Sequence, residues 1–245
     1  MGVSSAPHSR AGFPTTSWGC IARASDPADP AVHEALARLC AAYWFPIYAF
    51  IRRRGHERES ALDLTQDYFA RLLEKRIVAK ADPSRGRFRS FLLADCVHFL
   101  AQQRDRENAR MRGGDVTVFS IDAGTAEGRY LVEPAHDLTP DRLFDRAWAL
   151  ALLDGVLATL RDEYQRSGRA ALFEELKIVL TDEPRSLPQS ELAARLNTTP
   201  GAIQVAVHRL RKRYRELVRE AIAATVADPD DVESEIRDLF AALGG

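Results

Sequence analysis

The chain is poor in the residues that build metal centres and disulfide frameworks. Its three cysteines, Cys20, Cys40 and Cys96, show no CxxC spacing and no paired histidine. That pattern argues against a disulfide scaffold or a zinc site and for small buried thiols in a reducing compartment. His33, His56, His98, His136 and His208 are scattered singly. A glycine-rich phosphate loop, an HExxH pair and a G-x-S-x-G elbow are all missing. Nothing therefore marks an enzyme, and neither a metal nor a cofactor is expected. No apolar run approaches the length of a bilayer span, and residues 1–14 lack the apolar core of an export signal. Met1-Gly2 opens like a myristoylation site, but Ala6 stands where Ser or Thr is wanted. No membrane insertion is expected, and a cytoplasmic location follows from these readings.

Net charge is also nearly absent, at -1 over 245 residues, yet the charges are segregated. Residues 76–112 carry nine Lys or Arg against four acids, and residues 198–219 carry six against Glu216 alone. Residues 113–141 reverse the sign, with six acids against Arg129. One basic block is ordinarily a solvated helix face. Two in one chain are the electrostatic footprint of polyanion binding.

Hydrophobic residues make up 46% and charged residues 28% of the chain, a globular composition, and its apolar periodicity is helical throughout. Residues 1–16 are rich in Ser, Pro, Gly and Thr and read as a flexible leader, drawn to residue 23 as a domain boundary. Asp26, Pro27, Asp29 and Pro30 form a start signal for a helix over 31–54, closed by Gly55. Further helices are expected over 59–77 and 88–111, separated by the turn Asp82-Pro83-Ser84-Arg85-Gly86. These make a three-helix bundle over 24–112. Residues 113–140 hold glycines and prolines without a 3.6 period and read as an acidic linker. Thr139-Pro140-Asp141 then starts a helix in the usual way, with cap, N1 proline and first-turn acid. A second helical domain is expected over 141–221 and an acidic helical extension over 222–245. The expected class is all-α, with two small helical domains.

The second domain contains a helix-turn-helix pattern. A short helix from Gln189 or Ser190 to Leu196 is followed by Asn197-Thr198-Thr199 and by a helix opened by Thr199 as cap and Pro200 at the first position. Ala193 leaves room for the second helix to cross the first. At 100° per residue, Ile203, Val207, Leu210, Tyr214 and Leu217 share one stripe. The opposite face carries Gly201, Gln204, Val205, His208, Arg209, Lys212 and Arg215, with Arg211 at its edge. Gln204 suits adenine, and His208 or Arg209 suit guanine acceptors. Lys212, Arg215 and Arg211 lie where phosphates would be. Thr199 and these residues form the expected duplex-reading set.

Ala61, Leu62, Asp63, Leu64, Thr65, Gln66, Asp67, Tyr68 and Phe69 resemble the D-(V/L)-x-Q-(E/D)-x-F signature of bacterial RNA polymerase sigma factors, especially the extracytoplasmic-function group. The segment from Phe88 to Leu93 is similar to that family's F-R-x-W-L-L, and Ser190 to Arg211 resembles its region 4 helix-turn-helix. The resemblance covers roughly residues 31–112 and 141–217. It implies a protein that binds core RNA polymerase and directs it to promoter DNA, region 2 melting the -10 element and region 4 reading the -35 element. On it, Asp63, Leu64, Gln66, Asp67 and Arg71 would dock on the polymerase clamp. Arg85, Arg87, Arg89, Ser90, His98, Gln102 and Arg106 would meet the -10 strand. An anti-sigma factor would be a further partner. His98, Gln102 and Phe91 depart from the family's usual Asn, Asp and Trp, so no promoter sequence is implied. On the helix around Asp63, Leu62, Thr65, Tyr68, Phe69, Leu72 and Leu73 are expected to face the core.

Two readings stay open. Phe88, Phe91 and Phe99 either stack bases or fill the bundle core. The extension, with its stripe Val232, Ile236, Leu239 and Phe240, either covers the DNA surface of the second domain as a brake or packs on that domain. The rival to the sigma reading is a stand-alone helix-turn-helix regulator that binds duplex DNA as a dimer.

Overall fold

A computed structural model describes residues 17–110, 130, 138–180 and 189–244. The chain is all-α, with no strand among the described residues. Its α-helices are α1 (Trp18–Ser25), α2 (Val32–Arg53), α3 (Arg58–Glu74), α4 (Phe88–Arg110), α5 (Pro140–Arg166), α6 (Ala170–Leu176), α7 (Gln189–Arg195), α8 (Pro200–Ala223) and α9 (Val232–Leu243). Single 3-10 turns cover Ile77–Lys80, Pro83–Arg85, Lys177–Leu180 and Pro229–Asp231. No described helix is long and apolar enough to cross a membrane. The expected leader over 1–16, most of the linker between α4 and α5, and the loop with Pro184 and Pro188 lie outside the described residues.

Two compact units emerge, and their boundaries fall inside helices. The first described unit runs over residues 14–153 and 219–245, the second over 154–218. α5 and α8 each contribute to both. The sequence places boundaries at Gly- and Pro-rich segments, where periodicity lapses; a continuous helix leaves no such mark.

In the larger unit α2 is the central element. Its residues from Tyr43 to Ile51 are buried without interruption, the mark of a helix enclosed on all sides. α1 and α3 pack against it. α1 was not expected, since its residues fall in the leader. Ser17 caps it by accepting a hydrogen bond from the Cys20 N–H at 2.9 Å, and Ile21 and Ala24 are buried. An eight-residue amphipathic helix is too short to raise a periodic signal next to Ser- and Pro-rich sequence. Phe88, the first residue of α4, lies edge-on to Trp18 at 6.1 Å and to Tyr43 at 5.7 Å. Tyr43 stacks on Phe144 of α5 at 6.5 Å. One aromatic cluster thus ties α1, α2, α4 and α5 together. Phe88 and Phe99 are 3% exposed, so both belong to the core.

The phase of α3 differs from that expected. Ala61, Leu64, Thr65, Tyr68, Phe69 and Leu72 are buried, whereas Leu73 is 41% exposed. The true stripe is i, i+3, i+4, i+7, i+8, i+11 from Ala61. Leucines at 62 and 73 pull a hydrophobicity-based assignment toward the wrong edge.

The smaller unit packs Val156, Leu160 and Tyr164 of α5 with Phe173, Leu176, Leu192, Ala193, Ile203 and Leu210, all buried. Glu163 accepts a forked pair of hydrogen bonds from Arg213 of α8 at 2.7 and 3.0 Å.

Replacing Ile47 of α2, which is fully buried, with Ala is expected to cost about 2–5 kcal/mol. Replacing Phe240, 59% exposed, should change stability by less than about 0.5 kcal/mol; urea unfolding of the two variants checks the contrast.

Candidate nucleic-acid interfaces

The helix-turn-helix is built from local chemistry. Leu192 and Ala193 of α7 are 3% exposed. Asn197 takes a left-handed conformation (φ 48°), which Asn tolerates better than most residues, and this reverses the chain. The Thr198 N–H donates to the Ala193 carbonyl at 2.9 Å. Thr199 then caps α8: its hydroxyl accepts from the Ala202 N–H at 3.2 Å, and Pro200 takes the first position, where an N–H would be unpaired.

The faces of α8 divide as the 3.6 period requires. Ile203, Leu210 and Leu217 are buried, and Val207 and Tyr214 are half-buried. Thr199, Gly201, Gln204, Val205, His208, Arg209, Arg211, Lys212 and Arg215 are all exposed. Val205 is 50% exposed, an apolar side chain amid polar ones. Arg211 donates to the Val179 carbonyl and Arg215 to the Arg211 carbonyl, each at 3.3 Å. Lys212 stands 3.9 Å from Glu216. Among the described residues no carboxylate ion-pairs with Arg209. Arg213 instead turns inward to Glu163, and the bonded guanidinium holds that carboxyl below its usual range. The basic face is therefore aimed by one inward arginine.

In the larger unit the expected strand-contacting residues separate into two groups. Arg85 and Ser90 are exposed. Asp82 caps the turn before α4, accepting from the Ser84 N–H and hydroxyl at 2.9 and 2.6 Å. Gly86, at φ 117°, makes the bend that separates Arg85 from Arg87 and would strain any other residue. His98 and Gln102 hydrogen-bond to each other at 2.7 Å on the exposed side of α4. Arg106 lies on α4; its side chain is outside the described residues.

Arg87 and Arg89 form the second group, and both are engaged. Arg87 Nε lies 2.7 Å from Glu235 and its terminal nitrogen 2.5 Å from Asp238. Arg89 is 7% exposed. It pairs with Glu235, approaches Asp145 at 3.4 Å and lies over the Trp148 ring at 4.1 Å. Burial, and then repulsion by Arg87, lowers the Arg89 pKa; burial raises that of Asp145 against the pull of Arg89. A buried guanidinium without carboxylates would cost several kcal/mol, which explains why α5 and α9 both present acids here. Arg89, expected to meet the -10 strand, is thus buried and paired in this structure. Sequence reading missed Glu235 and Trp148. The available signal is an acid at position 235, midway between Val232 and Leu239 on one helix face. The extension belongs with this unit and not with the second domain, and Phe240, expected in its apolar stripe, is exposed.

The expected polymerase-docking set is also divided. Asp63 is exposed, and Gln66 and Asp67 are half-buried. Burial, then the nearby Asp63, raises the Asp67 pKa. Leu64 is 8% exposed and belongs to the core. Arg71 forks onto Asp95 of α4 at 2.9 and 3.3 Å and lies over Phe99, so it braces α3 against α4.

No family model, curated protein or solved structure matches the chain.

Glu163→Gln should lower stability at pH 7 by about 1 kcal/mol. Because the folded-state pKa is depressed, the stabilisation is present above the ordinary glutamate range and lost as pH falls through the lower, folded value. The gap between wild type and variant should therefore close on acidification, as followed by thermal melting at stepped pH.

Proposed function

We propose that the protein is a sigma factor of the extracytoplasmic-function type, a cytoplasmic subunit that binds core RNA polymerase and directs it to promoters. The observation that carries this reading is the exposed row on α8: Gln204, His208 and Arg209 near the turn, then Lys212 and Arg215 behind. A helix entering the major groove N-terminus first needs base-reading groups at its tip and phosphate-binding cations toward its rear. The capped turn and the Ala193 crossing fix how that row is presented.

The larger unit supports the same reading through its charge. Arg85, Ser90, His98 and Arg104 are exposed in the α4 region and Gln102 is half-buried beside His98, a surface suited to strand phosphates and base edges. Asp63, Gln66 and Asp67 of α3 are left as the polymerase-facing set, with Leu64 and Arg71 supporting them from within the fold. The acidic linker and an anti-sigma partner remain parts of the proposal that follow from the resemblance alone.

Selection of duplex DNA from a random pool tests the role of α8. Arg209→Ala should weaken binding to the selected sequence about 10- to 100-fold and relax preference at one base pair, as loss of a bidentate contact does. Lys212→Ala should weaken selected and unselected duplexes alike and reduce the salt slope by about 0.9. Selection of no sequence, or equal effects of both variants on all sequences, would contradict base reading by α8. Sequence-specific binding by a dimer that ignores core polymerase would favour the stand-alone regulator.

A further inference from the structure

The acidic extension folds as a helix whose buried face contains a carboxylate. Val232 and Leu239 are buried as an apolar stripe requires, and Glu235 between them is also buried. Phe240, which would have completed the stripe, points to solvent. A helix meant only to cover apolar surface would not place its acid inside. The carboxylate is there because Arg87 and Arg89 are there, flanking the buried Phe88.

The surroundings suit a phosphodiester strand better than a closed core. Beside the ion pairs lies a cavity of about 300 Å³, lined by Arg87, Arg89, Arg142, Asp145, Trp148 and Asp238 among others. Among the described residues no carboxylate ion-pairs with Arg142. Three guanidinium groups at one cavity supply phosphate charge neutralisation. The acids of α9 occupy the positions phosphate oxygens would take: Glu235 reaches both arginines, and Asp238 doubles the contact to Arg87.

The attachment of α9 is polar at both ends. Arg219 pairs with Glu233 near its start, and Arg146 donates to the Leu243 carbonyl at 2.7 Å near its end. Only Val232 and Leu239 of the helix are fully buried apolar anchors. An ion pair of this kind contributes little net stability over its alternatives, so a polyanion that supplies equivalent charge can replace it.

We propose that α9 is a displaceable acidic strap, with Glu235 and Asp238 holding Arg87 and Arg89 in place of the phosphates of a single DNA strand. The site beneath it is a gated phosphate-binding cleft, and the strand must exchange with the strap to reach it. The identity of the polyanion as DNA rests on the promoter-directing reading; the exchange itself does not.

The test uses the full-length chain and a mixed-sequence single-stranded oligonucleotide of about 12 nucleotides. Strand binding to wild type should speed amide hydrogen exchange across residues 232–243 by roughly tenfold or more, reporting release of α9. Asp238→Asn, a substitution at an exposed position, should tighten strand binding about three- to tenfold and raise the salt slope by up to about 0.7. Adding Arg87→Ala to that variant should abolish the gain. Strand binding that leaves exchange in α9 unchanged or slowed would overturn the proposal, as would an unaltered affinity in Asp238→Asn with unchanged circular dichroism. Absence of strand binding in every form would overturn it as well. Duplex binding through α8, measured on the same samples, reports separately on the promoter reading.

Discussion

Burying the Arg89 guanidinium is the constraint around which the larger unit is arranged. A charge that cannot reach water needs carboxylates and a polarisable face. The chain supplies these from two elements distant in sequence: Glu235 on α9, and Asp145 and Trp148 on α5. Phe88, held between Trp18 and Tyr43, fixes the start of α4 and thereby where Arg87 and Arg89 emerge. The aromatic cluster and the ion cluster are consecutive residues of one turn, so packing and electrostatics position each other. Residues 219–245 group with residues 14–153 in one unit, joined by these ion pairs and by the buried Val232 and Leu239.

The smaller unit resolves a similar conflict differently. α8 carries bases on several sides, yet only one side can face a duplex. Arg213 is drawn inward by Glu163, and the remaining cations stay outside. One half-buried ion pair thus takes Arg213 out of the outward basic face of the helix. The same principle operates at Arg71, where Asp95 and the Phe99 ring absorb a cation that would otherwise belong to the surface of α3.

Much of this was legible in the sequence, and for physical reasons. The capped turn at Thr199-Pro200 and the Ile203, Leu210, Leu217 stripe are local signals, and helix period alone orients them. The Thr139-Pro140-Asp141 start and the turn before Phe88 were equally plain. Three features were not legible. The phase of α3 was obscured because Leu62 and Leu73 lie together beyond one edge of the true stripe while Leu64 lies at the other, and only packing decides which leucines are covered. α1 was hidden by its brevity. The partners of Arg87 and Arg89 lie up to 151 positions away along the chain, and no periodicity in α4 can announce a carboxylate on α9. Position 235 did carry a local hint, an acid on an apolar face, but its meaning requires knowing what that face covers.

Under the proposed function, the α8 face, the exposed part of the α4 region and the α3 acids serve one process, the initiation of transcription. The most direct measurement adds the purified protein to core RNA polymerase on a library of DNA fragments and maps the 5′ ends of the transcripts. The account predicts co-elution with core and transcripts starting at discrete positions that share two sequence elements upstream. Transcripts with the same start distribution as core alone, and no co-elution, would contradict it.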